Sequence, residues 1–165
     1  MANTSNEWSV WLDEHGPALI LLARQWVPSQ ADAEDVVQEA FVRCWRLRER
    51  VESPAAYLYA CVRHCALDWQ RGNNRRQRRE LIVARSEIEP LFTVRIEQEE
   101  RRVAIETALR SLPRNQAEVI VMKIWGGLTL EQIATALDSS VNTVASRYRY
   151  ALAKLREQLV EGSML

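Results

Sequence analysis

Residues 128–157 read LTLEQIATALDSSVNTVASRYRYALAKLRE, and their pattern predicts the architecture of the C-terminal part of the chain. Thr129 is a typical N-cap for a short helix that reaches Leu137. The next three residues, Asp138 to Ser140, form a turn before a longer helix that runs to about Leu159. A short helix, a three-residue turn and a longer helix have the spacing of a helix-turn-helix unit. Asp138 stands where this turn usually has Gly, and Asp tolerates a left-handed backbone.

The longer helix has two chemically different faces. Its apolar stripe consists of Val141, Val144, Tyr148, Leu152 and Leu155. The opposite face and its flanks carry Asn142, Thr143, Ser146, Arg147, Arg149, Tyr150 and Lys154. Such side chains donate to phosphates and base edges, and the helix N-terminus also attracts phosphate. The pattern predicts binding in a DNA major groove, and an ordinary amphipathic hairpin in a bundle is the structural alternative.

A second candidate surface lies upstream, in residues 57–79. Ser53 and Pro54 start a helix whose apolar stripe is Leu58, Cys61, Val62, Cys65 and Trp69, and residues 72–74 are expected to break or bend it. Aromatic and basic side chains alternate along this segment, a mixture that suits unpaired bases and their backbone. Core packing is the alternative, above all for Trp69 on the stripe, whereas Tyr59 lies off the stripe.

Helical periodicity covers nearly all of the chain, which predicts an all-α fold. A first helix is expected over about residues 8–27, and a second after Ser29, with acids in its first turns and bases in its last. Residues 84–97 lack an apolar stripe and contain Pro90, which indicates a linker. The prediction is two small helical domains, residues 5–80 and 98–160, joined by a flexible linker over 81–97.

Composition limits the classes of protein that remain. The 165 residues hold 22 basic and 22 acidic side chains, but residues 51–79 and 108–165 are net basic, which suggests two separate contacts with polyanions. No continuous apolar run approaches the roughly 18 residues that a membrane-spanning helix needs. The N-terminus has neither a basic start nor an apolar block, so no secretory signal is expected. Three cysteines are then expected to stay reduced in the cytoplasm.

No catalytic constellation is apparent, so the sequence predicts neither an enzyme nor a cofactor. The chain contains no Gly-rich phosphate loop, no nucleophile elbow and no repeated His motif. The cluster Cys61, His64 and Cys65 leaves open a zinc or thiol switch. Because both cysteines lie on the apolar stripe, packing is the favoured interpretation, and no metal site is predicted.

Three stretches together resemble bacterial RNA polymerase sigma factors of the extracytoplasmic-function (ECF) group. They are DAEDVVQEAFVRCWR (32–46), AYLYACVRHCALDWQR (56–71) and LRSLPRNQAEVIVMKIWGGLTLEQIATALDSSVNTVASRYRYALAKLRE (109–157). The likeness extends from about residue 15 to residue 157, in the order and spacing of the family's sigma-2-like and sigma-4-like domains.

The resemblance assigns a role to each of three surfaces. Core polymerase would bind Asp35, Gln38, Glu39, Phe41, Val42 and Trp45. The minus-ten element would be opened and read by Tyr57, Tyr59, Arg63, His64, Asp68, Arg71, Arg75, Arg76 and Arg79. The minus-thirty-five element would be read by the polar face of the last helix, where Thr143, Ser146 and Arg147 match the family's motif. His64 and Ala145 depart from the usual residues of the family.

The expected function is therefore that of a promoter-specificity subunit of RNA polymerase. Its partners would be core RNA polymerase and promoter DNA, and an anti-sigma protein is a further candidate. A stand-alone regulator that binds duplex DNA as a dimer is the alternative. The tail after residue 160 is too short for a sensing domain, so control is expected in trans.

Overall fold

The structure, a computed structural model, describes the backbone of residues 4–76 and 96–162, and side chains within 7–72 and 99–161. Its elements are α1 (Thr4–Ala23), α2 (Gln30–Leu47), a 3-10 turn (Arg48–Arg50), α3 (Pro54–Arg76), α4 (Ile96–Arg110), α5 (Arg114–Ile120), a π-helical turn (Val121–Trp125), α6 (Leu130–Ala136) and α7 (Val141–Gly162). No strand occurs in these ranges. The predicted all-α fold is confirmed.

The N-terminal half, α1 to α3, is built on the packing of α2 against α3. α2 begins after Ser29 as predicted, and Ser29 caps it, because its Oγ accepts a hydrogen bond of 3.1 Å from the Asp32 amide. The helix then buries Val37, Phe41 and other apolar side chains against α1 and α3. α1 ends at Ala23, four residues before the predicted end, because the chain turns through residues 24–27.

α3 does not break at residues 72–74, so the break, one of the two alternatives predicted there, is wrong. The helix continues to Arg76. Gly72 is only half-buried, and a Cβ built on it meets no other atom within 4 Å. One glycine in an exposed helix costs only about 1 kcal/mol relative to alanine, too little to end a helix that is anchored by its buried stripe.

The C-terminal half, α4 to α7, contains the predicted helix-turn-helix unit. Thr129 and Gln132 form a capping box at the start of α6. Asp138 adopts φ 49°, the left-handed conformation expected of this turn. α4 starts at Ile96, so residues 96–97, predicted as linker, are helical, while residues 81–95 of that linker lie outside the described residues.

The two halves pack directly on each other. α1 contacts the π-helical turn, and α3 contacts α6. Tyr59 of α3 is fully buried at this junction, where its hydroxyl lies 3.2 Å from His15 Nδ1. A Cβ added to Gly126 would come within 2.7 Å of the same hydroxyl oxygen. The expectation that Tyr59 lies off the buried stripe holds for the helix alone, but the C-terminal half covers it.

None of the helices described is long and apolar enough to cross a membrane.

Candidate nucleic-acid interface

The polar face of α7 forms the first candidate surface. Asn142, Arg149 and Lys154 are exposed, and Tyr150 is 61% exposed, a high value for an aromatic side chain. The Arg149 guanidinium lies 5.7 Å from the centre of the Tyr150 ring. An exposed aromatic ring beside a cation offers both stacking and phosphate contact.

The start of α7 is held by a local cap. Ser140 Oγ accepts a 3.1 Å hydrogen bond from the Thr143 amide and lies 2.8 Å from the Thr143 hydroxyl. Thr143, Ser146 and Arg147 are half-buried. The cap fixes the first turn of the helix, so the polar groups that would enter a groove are placed by the backbone.

The last predicted residue of this face has a structural partner. Lys154 Nζ donates a 2.8 Å hydrogen bond to the carbonyl oxygen of Ser111, and Gln158 donates to the Ser111 hydroxyl. Lys154 therefore anchors α7 to the segment between α4 and α5. One of the three donors of its ammonium is used in this way, and the side chain remains exposed.

The second candidate surface is the exposed side of α3. His64, Asp68 and Arg71 are exposed, and Tyr57 and Arg63 are half-buried. Tyr59 is fully buried and therefore does not form part of this exposed side. The backbones of Arg75 and Arg76 belong to α3, but their side chains, together with Arg79, lie outside the described residues. The arrangement brings one basic side chain, one acidic side chain and a histidine to a single open face.

Arg63 is partly engaged in this arrangement. Its Nε donates a 2.9 Å hydrogen bond to Glu118 Oε1, from the C-terminal half. Burial raises the pKa of the Glu118 carboxyl, and the neighbouring Arg63, Arg114 and Arg147 oppose that rise. Glu118 was missed by sequence reasoning, because an isolated glutamate in an apolar helix carries no local signal of a distant partner.

The third predicted surface lies on α2. Asp35, Gln38, Glu39 and Val42 are all exposed, and their spacing of three and four residues places them on one face of the helix. The outer edge of this face is a half-buried tryptophan, Trp45, with the Arg48 guanidinium 3.9 Å from its ring centre. Glu39 on this face pairs with the exposed Arg43. Paired charges around an exposed valine suit a protein partner better than they suit DNA.

Phe41 differs from the other predicted residues of that surface. Its side chain is 1% exposed, and its ring lies edge-on to Trp11 at 6.3 Å. The helical spacing turns Phe41 away from Asp35 and Val42 and towards α1. In this arrangement Phe41 supports the surface from beneath and does not form part of it.

The three thiols lie in the packing of α2 and α3. Cys44 and Cys65 are buried and Cys61 is half-buried, all with free sulfurs. Burial raises the pKa of Cys44 to about 12 and that of Cys65 to about 11. Within the described part of the chain, no three His, Cys, Asp or Glu side chains are placed to hold a metal ion.

The thiols are expected to react slowly with an aromatic disulfide reagent at pH 8. A raised pKa leaves little thiolate. Cys44 and Cys65 of the folded protein should therefore react at least about 100-fold more slowly than free cysteine. Rates followed by absorbance, with the denatured chain as control, test this. Rapid modification of the folded protein, or fast disulfide formation under mild oxidant, would favour the thiol switch instead.

Comparison with known proteins agrees with this geometry. The family model for Sigma-70 region 2 matches residues 11–76, and that for Sigma-70, region 4 matches residues 102–155. The RNA polymerase sigma-E factor of Streptomyces coelicolor is 31% identical over 157 residues, which cover 93% of this chain and 86% of that protein. The ECF RNA polymerase sigma factor SigL of Mycobacterium tuberculosis is 31% identical over 153 residues, 90% of this chain and 86% of that protein.

A solved structure has the same fold. The sigma factor RpoE of Bartonella quintana, solved in complex with the anti-sigma factor NepR, superposes with a TM-score of 0.65 at 23% identity, covering 93% of this chain and 96% of that chain. The chain thus belongs to the sigma-70 family of RNA polymerase sigma factors, in the ECF group. Sigma factors are promoter-recognition subunits.

Proposed function

We propose that this sigma factor binds core RNA polymerase through the α2 surface and promoter DNA through α3 and α7. The observation that carries this assignment is the helix-turn-helix geometry of α7, whose polar side exposes Arg149 and Tyr150. On α2, by contrast, Asp35 and Glu39 lie beside the exposed Val42, and Glu39 pairs with Arg43. Phosphate is attracted to the basic group of α7, whereas paired charges around an exposed valine suit a protein surface.

The two DNA surfaces suit two forms of DNA. α7 is the second helix of a helix-turn-helix unit, a geometry that fits the major groove of a duplex at the minus-thirty-five element. The open face of α3, with Tyr57 at its edge, suits the melted minus-ten element, where the unstacking of a base costs a few kcal/mol that new contacts must offset. Joined in one chain, the two surfaces act at high effective concentration on a promoter of the right spacing.

The same proposal covers domain organisation and setting. Residues 5–80 act as one domain on the polymerase and the part from α4 to residue 160 acts as another, linked by residues 81–95. We expect the protein to work in the cytoplasm, where its polymerase is, and to catalyse no reaction itself. An anti-sigma protein is a candidate regulator, since the structurally similar sigma factor RpoE of Bartonella quintana has been solved with the anti-sigma factor NepR.

Reconstitution with core polymerase tests the proposed function. The purified chain is mixed with core enzyme, and both binding and run-off transcription are measured on a library of promoter fragments. Co-elution with core enzyme and initiation at defined sites are expected. Binding to a palindromic duplex as a dimer, without co-elution or transcription, would contradict the proposal.

A further inference from the structure

A buried histidine lies at the junction of the two halves. His15 of α1 is 9% exposed, and its Nδ1 lies 3.2 Å from the hydroxyl oxygen of Tyr59 on α3. The rings of Trp11 and Tyr59 each lie 5.7 Å from the imidazole, measured between ring centres. The imidazole is therefore surrounded by aromatic rings and one hydroxyl, and such a setting favours the neutral ring over the cation.

The C-terminal half covers this site. The π-helical turn packs on α1, and a Cβ added to Gly126 would come within 2.7 Å of the Tyr59 hydroxyl oxygen. The same hydroxyl thus contacts His15 and also faces the C-terminal half. Separation of the halves would admit water to this hydroxyl and to the imidazole beside it, so a protonated His15 would be hydrated there.

The charged groups of the surrounding elements do not compensate for the burial of His15. Glu14, its neighbour on α1, favours the protonated ring, but burial outweighs that effect and lowers the pKa of His15 from its ordinary value of 6.5. Lys123 of the π-helical turn donates a 3.2 Å hydrogen bond to the carbonyl oxygen of Leu128. The packed junction therefore binds a proton at His15 less tightly than a hydrated junction would.

We propose that the contact of His15 with Tyr59 is an acid-sensitive contact: uptake of one proton by His15 releases the C-terminal half from α1 and α3. Because burial lowers the pKa of His15, its contribution to packing is complete above about pH 6.5 and is lost as the pH falls through that value. Proton uptake at one site raises the ratio of extended to packed molecules by up to about tenfold per pH unit. The contact lies within the chain itself, so this inference is independent of the proposed function.

Glu118 is a second buried titratable group where the halves meet, and its titration has the opposite sign. Its carboxylate pairs with Arg63 of α3 at 2.9 Å, and burial raises the pKa of this carboxyl. A raised pKa means that the packed arrangement binds a proton at Glu118 more tightly than an open one, so acidification at this residue favours packing. Exposed carboxylates titrate only near about pH 4. An expansion under mildly acidic conditions therefore indicates His15.

His15→Asn is the variant that isolates this contact. The asparagine amide oxygen lies at about the position of Nδ1, so it can still accept a hydrogen bond from the Tyr59 hydroxyl, but it does not titrate. His64→Asn is the matched control, because the chain has two histidines and His64 is exposed on α3. Each variant removes one imidazole and leaves the other in place.

Small-angle X-ray scattering of the full chain at pH 8 and at about pH 5.5 measures the radius of gyration, and circular dichroism measures the helix content. Wild type and His64→Asn should be compact at pH 8 and larger at the acidic pH, with unchanged helix content. His15→Asn should stay compact at both. In His64→Asn the one remaining histidine NMR signal should titrate below pH 6.5, with a midpoint that matches the expansion.

Three results would overturn the acid-sensitive contact. The first is a wild-type protein of the same size at both pH values. The second is a His15→Asn protein that expands on acidification as far as wild type does, since other groups would then cause the expansion. The third holds even if His15→Asn does not fold: a His15 signal that titrates at or above pH 6.5 in His64→Asn would show that packing does not disfavour the proton.

Discussion

Replacement of Phe41 by alanine is expected to lower the free energy of unfolding by about 3–5 kcal/mol, the usual cost of truncating a buried phenylalanine. The ring is 1% exposed and lies between α2 and Trp11 of α1. Urea denaturation followed by tryptophan fluorescence measures the loss, and a midpoint shift without a change in slope would confirm that stability alone has changed.

Val42→Ala is the matched change on the opposite side of the same helix. Val42 is 45% exposed, so this variant should alter the free energy of unfolding by less than about 0.5 kcal/mol. It should instead weaken binding to core polymerase, measured by competition with labelled wild-type protein. Equal destabilisation by the two variants would contradict the different roles given to Phe41 and Val42. A stable Phe41→Ala protein that fails only in polymerase binding would show that Phe41 contacts the polymerase.

Most of the fold is encoded in local patterns that can be read without a structure. Ser29 before an acidic first turn, Thr129 with Gln132 three residues later, and Asp138 in a tight turn each specify a helix boundary through their own backbone chemistry. These boundaries are found where the sequence predicted them. The end of α1 was misjudged because Pro28 is a strong local signal, whereas the turn at residues 24–27 is set by packing.

The candidate surfaces were less predictable, because burial between the halves is not a local property. Helical periodicity places Tyr59 outside the apolar stripe of α3, but the chain from α5 to Gly126 covers it. Glu118 and Arg63 are 55 residues apart in sequence, and no pattern in either segment indicates that they meet. The sequence therefore shows which chemical groups are present but not which of them pack together or form hydrogen bonds with each other.

Replacement of Arg147 by alanine is expected to weaken recognition of the upstream promoter element. If the guanidinium contacts a base edge, the loss is about 1–3 kcal/mol of binding free energy, and it relaxes specificity at one position of the site. Arg147 also lies close enough to Glu118 for its charge to oppose the rise in the pKa of that buried carboxyl. The alanine variant therefore loses a DNA contact and also removes one of the positive charges that stabilise the buried carboxylate of Glu118.

Two further variants separate these effects. Arg147→Lys keeps the charge near Glu118 but lacks the two-pronged donor geometry that reads guanine, so it should retain stability and lose base discrimination. Arg156→Ala removes an equal charge from an exposed position nine residues further along α7, which helical geometry places on the opposite face. Footprints of the reconstituted holoenzyme over the minus-thirty-five element should weaken for both Arg147 variants and persist for Arg156→Ala. A footprint unchanged in all three would mean that α7 enters the groove by another face.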